Sequence, residues 1–460
     1  MAITLGRWAN PGRRRLRITG MRISGPGVAP RIERFVHRLL DVPLPVGLRA
    51  WDGSEAGPAG GPTVSLTSRK ALRHLLWSPG ELGLARAYVR GDIEVDGDLA
   101  EALRRCWRLA REHRLNALRP GPRELPGLLG LALRTGAFGP PPRRPEGEVR
   151  VRGALHSKRR DRSAIAHHYD AGNDFYRLLL DPSMAYSCGY WQREDGGLEQ
   201  AQHDKLELIC AKLGLRPGMR LLDVGCGWGS LLLHAARHHG VRATGITLSR
   251  EQHAHVRQRV AEEGLTHAVE VRMQDYRDLD DAPFDAIATI EMGEHVGERN
   301  YPEYVAVLHR NLRPRGRLLL QQMSRGENAP GGGPFIESYI APDMSMVPVS
   351  RTSQHLERAG FEIRDVHAMR EHYARTVSAW SRTLEDRRAE AAALIGEEGV
   401  RIWRLYLAGG TLAFEENRMG VQQFLAVRPD ADGNSGMFRA LAVCGEAACD
   451  AGLDSHRRGV

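Results

Sequence analysis

The sequence predicts an α/β protein: a doubly wound parallel sheet preceded by a smaller N-terminal α+β domain. Three observations carry this. From residue 164 to about 428, short apolar runs alternate with helical patterns, the arrangement that covers both faces of a parallel sheet. One run, "LLDV" at 221–224, stops at Gly225, Gly227 and Gly229, and a helical pattern follows at once. The length, 460 residues, exceeds one ordinary domain.

The elements follow in order. Within 1–135, "PVGLRAWDGS" and "PTVSLT" read as strands, and "RKALRHLLW" and "LAEALRRCWRLAREH" as helices. This block is read as a lipid- or membrane-associated accessory domain. Residues 136–163, rich in Pro, Gly and Arg, form a linker. In the domain at 164–430, strands are expected at "RLLDVG" (220–225), 242–249, 268–275, 284–292, 316–324 and 422–429. Helices are expected at about 229–239, over "REQHAHVRQRVAEEG", and over "YPEYVAVLHRNLRPRG", whose Pro and Gly end it. The Gly-, Asp- and Ala-rich stretch 431–460 is expected to be a flexible tail.

Composition bounds the function. Hydrophobic residues make up 42% and charged residues 26%, enough for a packed core. No run of 18 apolar residues reads as a spanning helix. The N-terminal segment is basic without an apolar stretch behind it, so it reads as a basic arm rather than a signal peptide. Six dispersed cysteines include no C-x-x-C pair, and no Cys/His spacing suits zinc. His238 and His239 read as solvated surface. A reduced cytoplasmic protein without a metal is expected. The net charge of +9 draws the chain to polyanions, either nucleic acid or an anionic membrane face. Equally, arginine simply replaces lysine in a GC-rich genome. The stretch "LPGLLGLALRTGAFG" (125–139) is too short to span a bilayer; it lies in the interface or packs against its domain.

The glycine turn is spaced G-x-G-x-G and preceded by Asp223, unlike the G-x-G-x-x-G of dinucleotide sites. The turn alone leaves open a ligand-free turn, a nucleotide site, or motif I of the S-adenosylmethionine (SAM)-dependent methyltransferases, which it resembles. "TLSREQ" ends the second strand where a ribose would lie, and "QDYRDL" ends the third where an adenine would lie.

With "HHYDAGNDFYRLLLDPSMAYSCGYW", "LLDVGCGWGS", "GITLSREQ", "QDYRDL" and "GEHVG", the stretch 164–428 resembles the cyclopropane-fatty-acyl-phospholipid synthases and mycolic acid methyltransferases. "GELGLARAYVRGDIEVDGDL" extends the likeness to the longer, phospholipid-acting members. The resemblance implies a class I, Rossmann-like methyltransferase fold and SAM as donor. It implies that Tyr186 and Ser187 touch the donor, Gly225 and Gly227 line its amino-acid end, Thr247, Leu248 and Gln252 hold the ribose region, Asp275, Tyr276 and Arg277 flank the adenine, and Ile290 sits beside the donor near the catalytic end of the fourth strand.

The implied substrate is a cis double bond in a phospholipid acyl chain. Cyclopropanating members hold a bicarbonate base through a cysteine, a glutamate, a histidine and a tyrosine. The first two correspond to Cys188 and Glu294; the others fall at Gln321 and Ser381. With two anchors changed, Glu294 is expected to act as base itself, with Glu291, Gln321 and Tyr186 beside it. These changes, and "GGGPFIESYIAPDMSM" (331–346), resemble the tuberculostearic (10-methyl) fatty acid synthase branch, which makes a methylene intermediate. Cyclopropane formation is the alternative. Trp380, Trp403, Tyr406 and Phe414 either pack the core or line an acyl channel. The Arg-rich stretches "GRRRLR" (12–17) and "HSKRRDR" (156–162) are expected to engage an anionic membrane surface at the inner face; the resemblance implies a separate reductase, and a homodimer stays open. A nucleic-acid methyltransferase would show an N-P-P-Y or Pro-Cys motif; neither occurs, so no nucleic-acid partner is expected. A non-enzymatic lipid- or SAM-binding protein would keep its role after Glu294→Gln.

Overall fold

The computed structural model describes residues 26–113, 125–149, 155–158, 160–161, 172–326 and 332–437. The basic arm, His167 and His168, and the tail beyond 437 lie outside the described residues, as do 150–154, 159 and 162–163 of the linker.

The N-terminal part holds a four-stranded sheet: β1 (Gly47–Arg49), β2 (Glu55–Ala56), β3 (Thr63–Leu66) and β4 (Ile93–Asp96), in the order β2-β1-β3-β4. β1 and β3 are parallel; the other pairs are antiparallel. The helices read as "RKALRHLLW" and "LAEALRRCWRLAREH" form at Lys70–Trp77 and Leu99–Glu112. The second starts where the Asp98 carboxylate accepts from the Ala100 and Glu101 backbone N–H groups, satisfying two donors a helix start leaves orphaned. Ion pairs tie this part to the rest: Arg86 to Glu148, Arg401 to Glu94, and Arg104 to Glu415.

The larger sheet has seven strands: β5 (Arg220–Val224), β6 (Arg242–Thr247), β7 (Val269–Met273), β8 (Phe284–Ile290), β9 (Leu312–Ser324), β10 (Glu362–Ala368) and β11 (Gly420–Val427). Their order is β10-β11-β9-β8-β5-β6-β7. β5 to β9 pair in parallel, as expected. Their runs are apolar because both faces are covered: β5 has Leu221, Leu222 and Val224 fully buried, and β9 has Leu318, Leu319 and Leu320 buried in a row.

Three departures have local causes. β11 runs antiparallel between β9 and β10. One crossover helix returns a chain to the starting edge of a sheet; two helices, Arg370–Asp386 and Arg388–Glu415, separate β10 from β11 and undo that return. β10 escaped the sequence reading because it lies at the sheet edge, where "EIRDVHA" alternates with charged residues. β9 starts at Leu312 rather than 316, because "RPRG" enters the sheet through a register shift with Arg315 at φ 62°, not through a helix end.

The glycine turn joins β5 to helix Ser230–His239. Gly225 and Cys226 both donate to the Ile246 carbonyl, which folds the turn against β6. Gly229, at φ 83°, is the helix N-cap, and a Cβ there would sit 2.9 Å from Val256 on helix Arg250–Glu262. The close approach is thus to a helix, not to the strand. Gly229→Ala is expected to cost roughly 1–3 kcal/mol through backbone strain and to lower the thermal unfolding midpoint. An unchanged midpoint in a calorimetric scan would show that the turn relaxes freely.

Candidate active site

At the carboxyl ends of β5, β6 and β8 lies a cavity. Nine of the expected cofactor residues line it: Tyr186, Ser187, Gly225, Gly227, Thr247, Leu248, Gln252, Tyr276 and Ile290. Asp275 and Arg277 do not. They pair with each other (2.7 Å), and Arg277 also pairs with Asp161 (2.9 Å), pinning the segment around 156–161 to the end of β7.

The lining fits a SAM-sized zwitterion. A Cβ at Gly227, φ 53°, would meet nothing within 4 Å, so the turn presents bare backbone to open space. The Thr247 hydroxyl donates to Gln252 Oε1 at 2.8 Å, which fixes the amide; Gln252 Nε2 is buried without a hydrogen-bond partner. Asp223 Oδ1 is also buried and unpartnered. Burial raises the Asp223 carboxyl to about 7, and the Lys205 ammonium pulls it down. Lys205, buried on the same wall, donates to Ser187 Oγ at 3.0 Å. A buried acid and a buried base on one wall complement the ammonium and carboxylate of a bound amino acid. The sequence reading missed Lys205, which looks there like one more charge on a polar helix.

A carboxylate forms the other wall. Glu291, at φ 53°, lies just past β8 in a backbone conformation that non-glycine residues rarely hold. Its Oε1 accepts from the Cys188 backbone N–H and from Gln321 Nε2, both at 2.9 Å; its Oε2 accepts from the Tyr373 hydroxyl at 2.5 Å. Gln321 Oε1 in turn accepts from Gln423 Nε2 at 2.9 Å, which fixes the amide's orientation. Burial raises the Glu291 carboxyl, while the Tyr373, Cys188 and Gln321 hydrogen bonds and the Lys205 charge hold it back.

One expectation becomes specific here and another changes. Cys188 contributes its backbone N–H; its thiol is wholly buried, points to the Gly189 and Met369 carbonyls, and is kept protonated by burial. The tyrosine that reaches the carboxylate is Tyr373, not a residue at Ser381. The signal was its helical face: Tyr373, Thr376, Val377 and Trp380 recur at i, i+3, i+4, i+7, and all four are buried.

Glu294 is also buried, yet is not part of the cavity lining. Its Oε1 accepts from the Met323 N–H at 2.5 Å, and its Oε2 is unpartnered. Burial first, then the neighbouring Glu291 charge, push it to about 8. His295 lines the cavity. Beside it, Tyr186, Trp228, Trp380, Trp403, Tyr373 and Phe414 pack in one apolar cluster, with Tyr186 5.2 Å from Trp380 between ring centroids and Tyr373 stacked on Phe414 at 4.4 Å. The Tyr186 hydroxyl donates to that of Tyr406 at 3.2 Å.

Comparison with known proteins agrees with this geometry. The mycolic acid cyclopropane synthetase family matches residues 156–424. A probable fatty acid methyltransferase of Pseudomonas putida is 40% identical over 85% of this chain and 94% of its own. The cyclopropane-fatty-acyl-phospholipid synthase of Escherichia coli K12 is 39% identical over 61% of this chain and 72% of its own. Among solved structures, mycolic acid cyclopropane synthase CmaA1 complexed with SAH and CTAB superposes with a TM-score of 0.55 at 34% identity, covering 58% of this chain and 97% of that one. The sheet order and the donor cavity have the same explanation: this chain belongs to the mycolic acid cyclopropane synthetase family and is a SAM-dependent lipid methyltransferase of class I fold.

Proposed function

We propose that the enzyme methylates the cis double bond of an unsaturated phospholipid acyl chain and releases a methylene product on the way to a 10-methyl (tuberculostearic-type) fatty acid. One observation carries this reading: Glu291 places a fixed carboxylate on the cavity wall, held by three donors. In cyclopropanating relatives the resemblance implies an exchangeable bicarbonate; here the protein's own carboxylate takes up the Gln321 and Tyr373 hydrogen bonds that would serve it. The Pseudomonas relative's name, probable fatty acid methyltransferase, is in line with this.

SAM, held by the nine lining residues and by Asp223 and Lys205, supplies an electrophilic methyl group. The chain's residues do the rest. A new carbon–carbon bond at one olefin carbon leaves positive charge on the other. The apolar cluster of Tyr186, Trp380, Trp403 and Phe414 excludes water that would trap this cation, and its rings must part to admit an acyl chain. A hydride shift followed by loss of a proton from the added methyl gives an exocyclic methylene; direct loss with ring closure gives a cyclopropane. Glu291 accepts the proton, and Tyr373 and Gln321 hold its carboxylate in place. Glu294, pushed to about 8, is mainly protonated at neutral pH and serves as a neutral prop for Met323. A separate two-electron reductase then converts methylene to methyl.

Membrane access fits the N-terminal part. Helix Leu125–Thr135 buries Ala132 and Thr135 but exposes Leu133 (65%), and the nearby Phe138 is 63% exposed. Arg134 is exposed on the same helix. Among the described residues no helix is long and apolar enough to cross a membrane. This face is read as lying on an anionic leaflet.

Three tests follow from this reading. Incubation with SAM and oleoyl phospholipid vesicles should yield a product with exocyclic methylene protons by NMR, and Glu291→Gln should lower turnover at least about 100-fold with SAM affinity retained; cyclopropane protons, or an undiminished variant, would refute it. Because Glu294 holds its proton to about 8 when folded but to 4.5 ordinarily, the unfolded state releases protons first as pH rises between those values. Stability therefore falls through that window, and Glu294→Gln should flatten the slope in urea titrations; an unaltered slope would show that Glu294 is ionised. Flotation with anionic vesicles should weaken as salt rises and in Leu133→Glu/Phe138→Glu; binding indifferent to both would place the membrane face elsewhere.

A further inference from the structure

The far side of the helices that wall the donor cavity carries a cluster that the methyl-transfer reading does not use. Helix Leu198–Leu213 sends Leu206 and Ile209 to the cavity and turns His203 and Glu207, four residues apart, to the opposite face. Helix Ser230–His239 sends Ser230 and Leu231 to the cavity, and His234 and His239 to the same opposite face. His238 is exposed, as expected of solvated surface; His234 is buried and His239 half-buried.

The donor atoms converge. His234 Nε2 lies 2.7 Å from Glu207 Oε1, and His239 Nε2 lies 3.4 Å from Glu207 Oε2. The donor atoms of His203, Glu207 and His234 all lie within 4.8 Å of one another. The donor atoms of His239 and His234 likewise lie within 4.8 Å of each other. Four ligands around a tetrahedral ion at zinc-like bond lengths stand about 3.4 Å apart, so His203 and His239, linked here through Glu207 and His234, turn inward to close the shell. His239 Nε2 is buried and makes no hydrogen bond, a donor or lone pair left for another partner. His203 and Glu207 remain partly open to solvent, which gives an ion a way in.

We propose that His203, Glu207, His234 and His239 bind one divalent transition-metal ion of the zinc type, clasping the two helices from behind the donor cavity. Three imidazoles and one carboxylate favour such an ion over magnesium or calcium, which take oxygen shells. The residues come from two elements 20 to 40 positions apart in sequence, so no short motif announces them, and this site was not expected from the sequence. Cys210 also approaches His234 and His239, but it is wholly buried on the inner side of the helix, whereas His203 and Glu207 open to solvent, and it stays outside the proposed shell.

The test uses untagged full-length protein and Co²⁺ as probe. One equivalent should produce the visible absorption of a four-coordinate nitrogen–oxygen site. His203→Ala/His239→Ala should weaken binding at least tenfold, as should Glu207→Ala, which serves should the first variant fail to fold. Zn²⁺ should raise the thermal midpoint of the parent protein and leave that of a folded variant unchanged. A spectrum that stays that of aqueous Co²⁺, equal affinity in a folded variant, or a near-ultraviolet thiolate band from Cys210 would overturn the proposal. None of these readouts depends on the lipid substrate, so the result is independent of the proposed reaction.

Discussion

A carboxylate buried beside an apolar cluster is costly unless its oxygens are satisfied, and the site is organised around satisfying Glu291. The donors come from three distant parts of the chain: the backbone at Cys188, Gln321 on β9, and Tyr373 on the first helix of the pair that precedes β11. Each lies where it does because the sheet is assembled. β9 brings Gln321 alongside Ile290, the last residue of β8; β11 brings Gln423 opposite Gln321 and fixes its amide. The antiparallel return of β11, which breaks the parallel pattern, is therefore part of how the site is held.

Strain and charge are arranged to match. Glu291 occupies a left-handed backbone conformation that costs about 1–3 kcal/mol, sustained by its side-chain bonds and by its N–H donating to the Gln321 carbonyl at 2.7 Å. Lys205 donates to Ser187 and biases both Glu291 and Asp223 toward their charged forms, so one buried cation acts on the acids of two walls of a single cavity. Glu294 has neither a cation nor three donors, and its carboxyl holds its proton; two acids three residues apart are thereby set to different tasks.

Most of the large sheet was legible because a strand covered on both faces carries an apolar run, as β5, β8 and the centre of β9 do. β10 and the two-residue β2 were not, since an edge or a very short strand leaves no such run. At the site, residues in the glycine turn and at strand ends could be placed from their motifs, because local chain geometry alone positions them. Lys205 and Tyr373 were not placed: Lys205 reaches the cavity, and Tyr373 the Glu291 carboxylate, from helices whose contacts become known only after packing. That Cys188 contributes through its backbone N–H was not legible either, since a backbone N–H carries no mark of residue type. Asp275 and Arg277 also pair with one another, which their motif could not reveal.

The account stands on a protein carboxylate doing the work for which cyclopropanating relatives recruit an ion. Turnover measured in rigorously carbonate-free buffer, and again with bicarbonate added, tests this directly. Rates that are equal in the two conditions are what a built-in Glu291 base predicts. A rate that collapses without bicarbonate and returns with it would contradict the account.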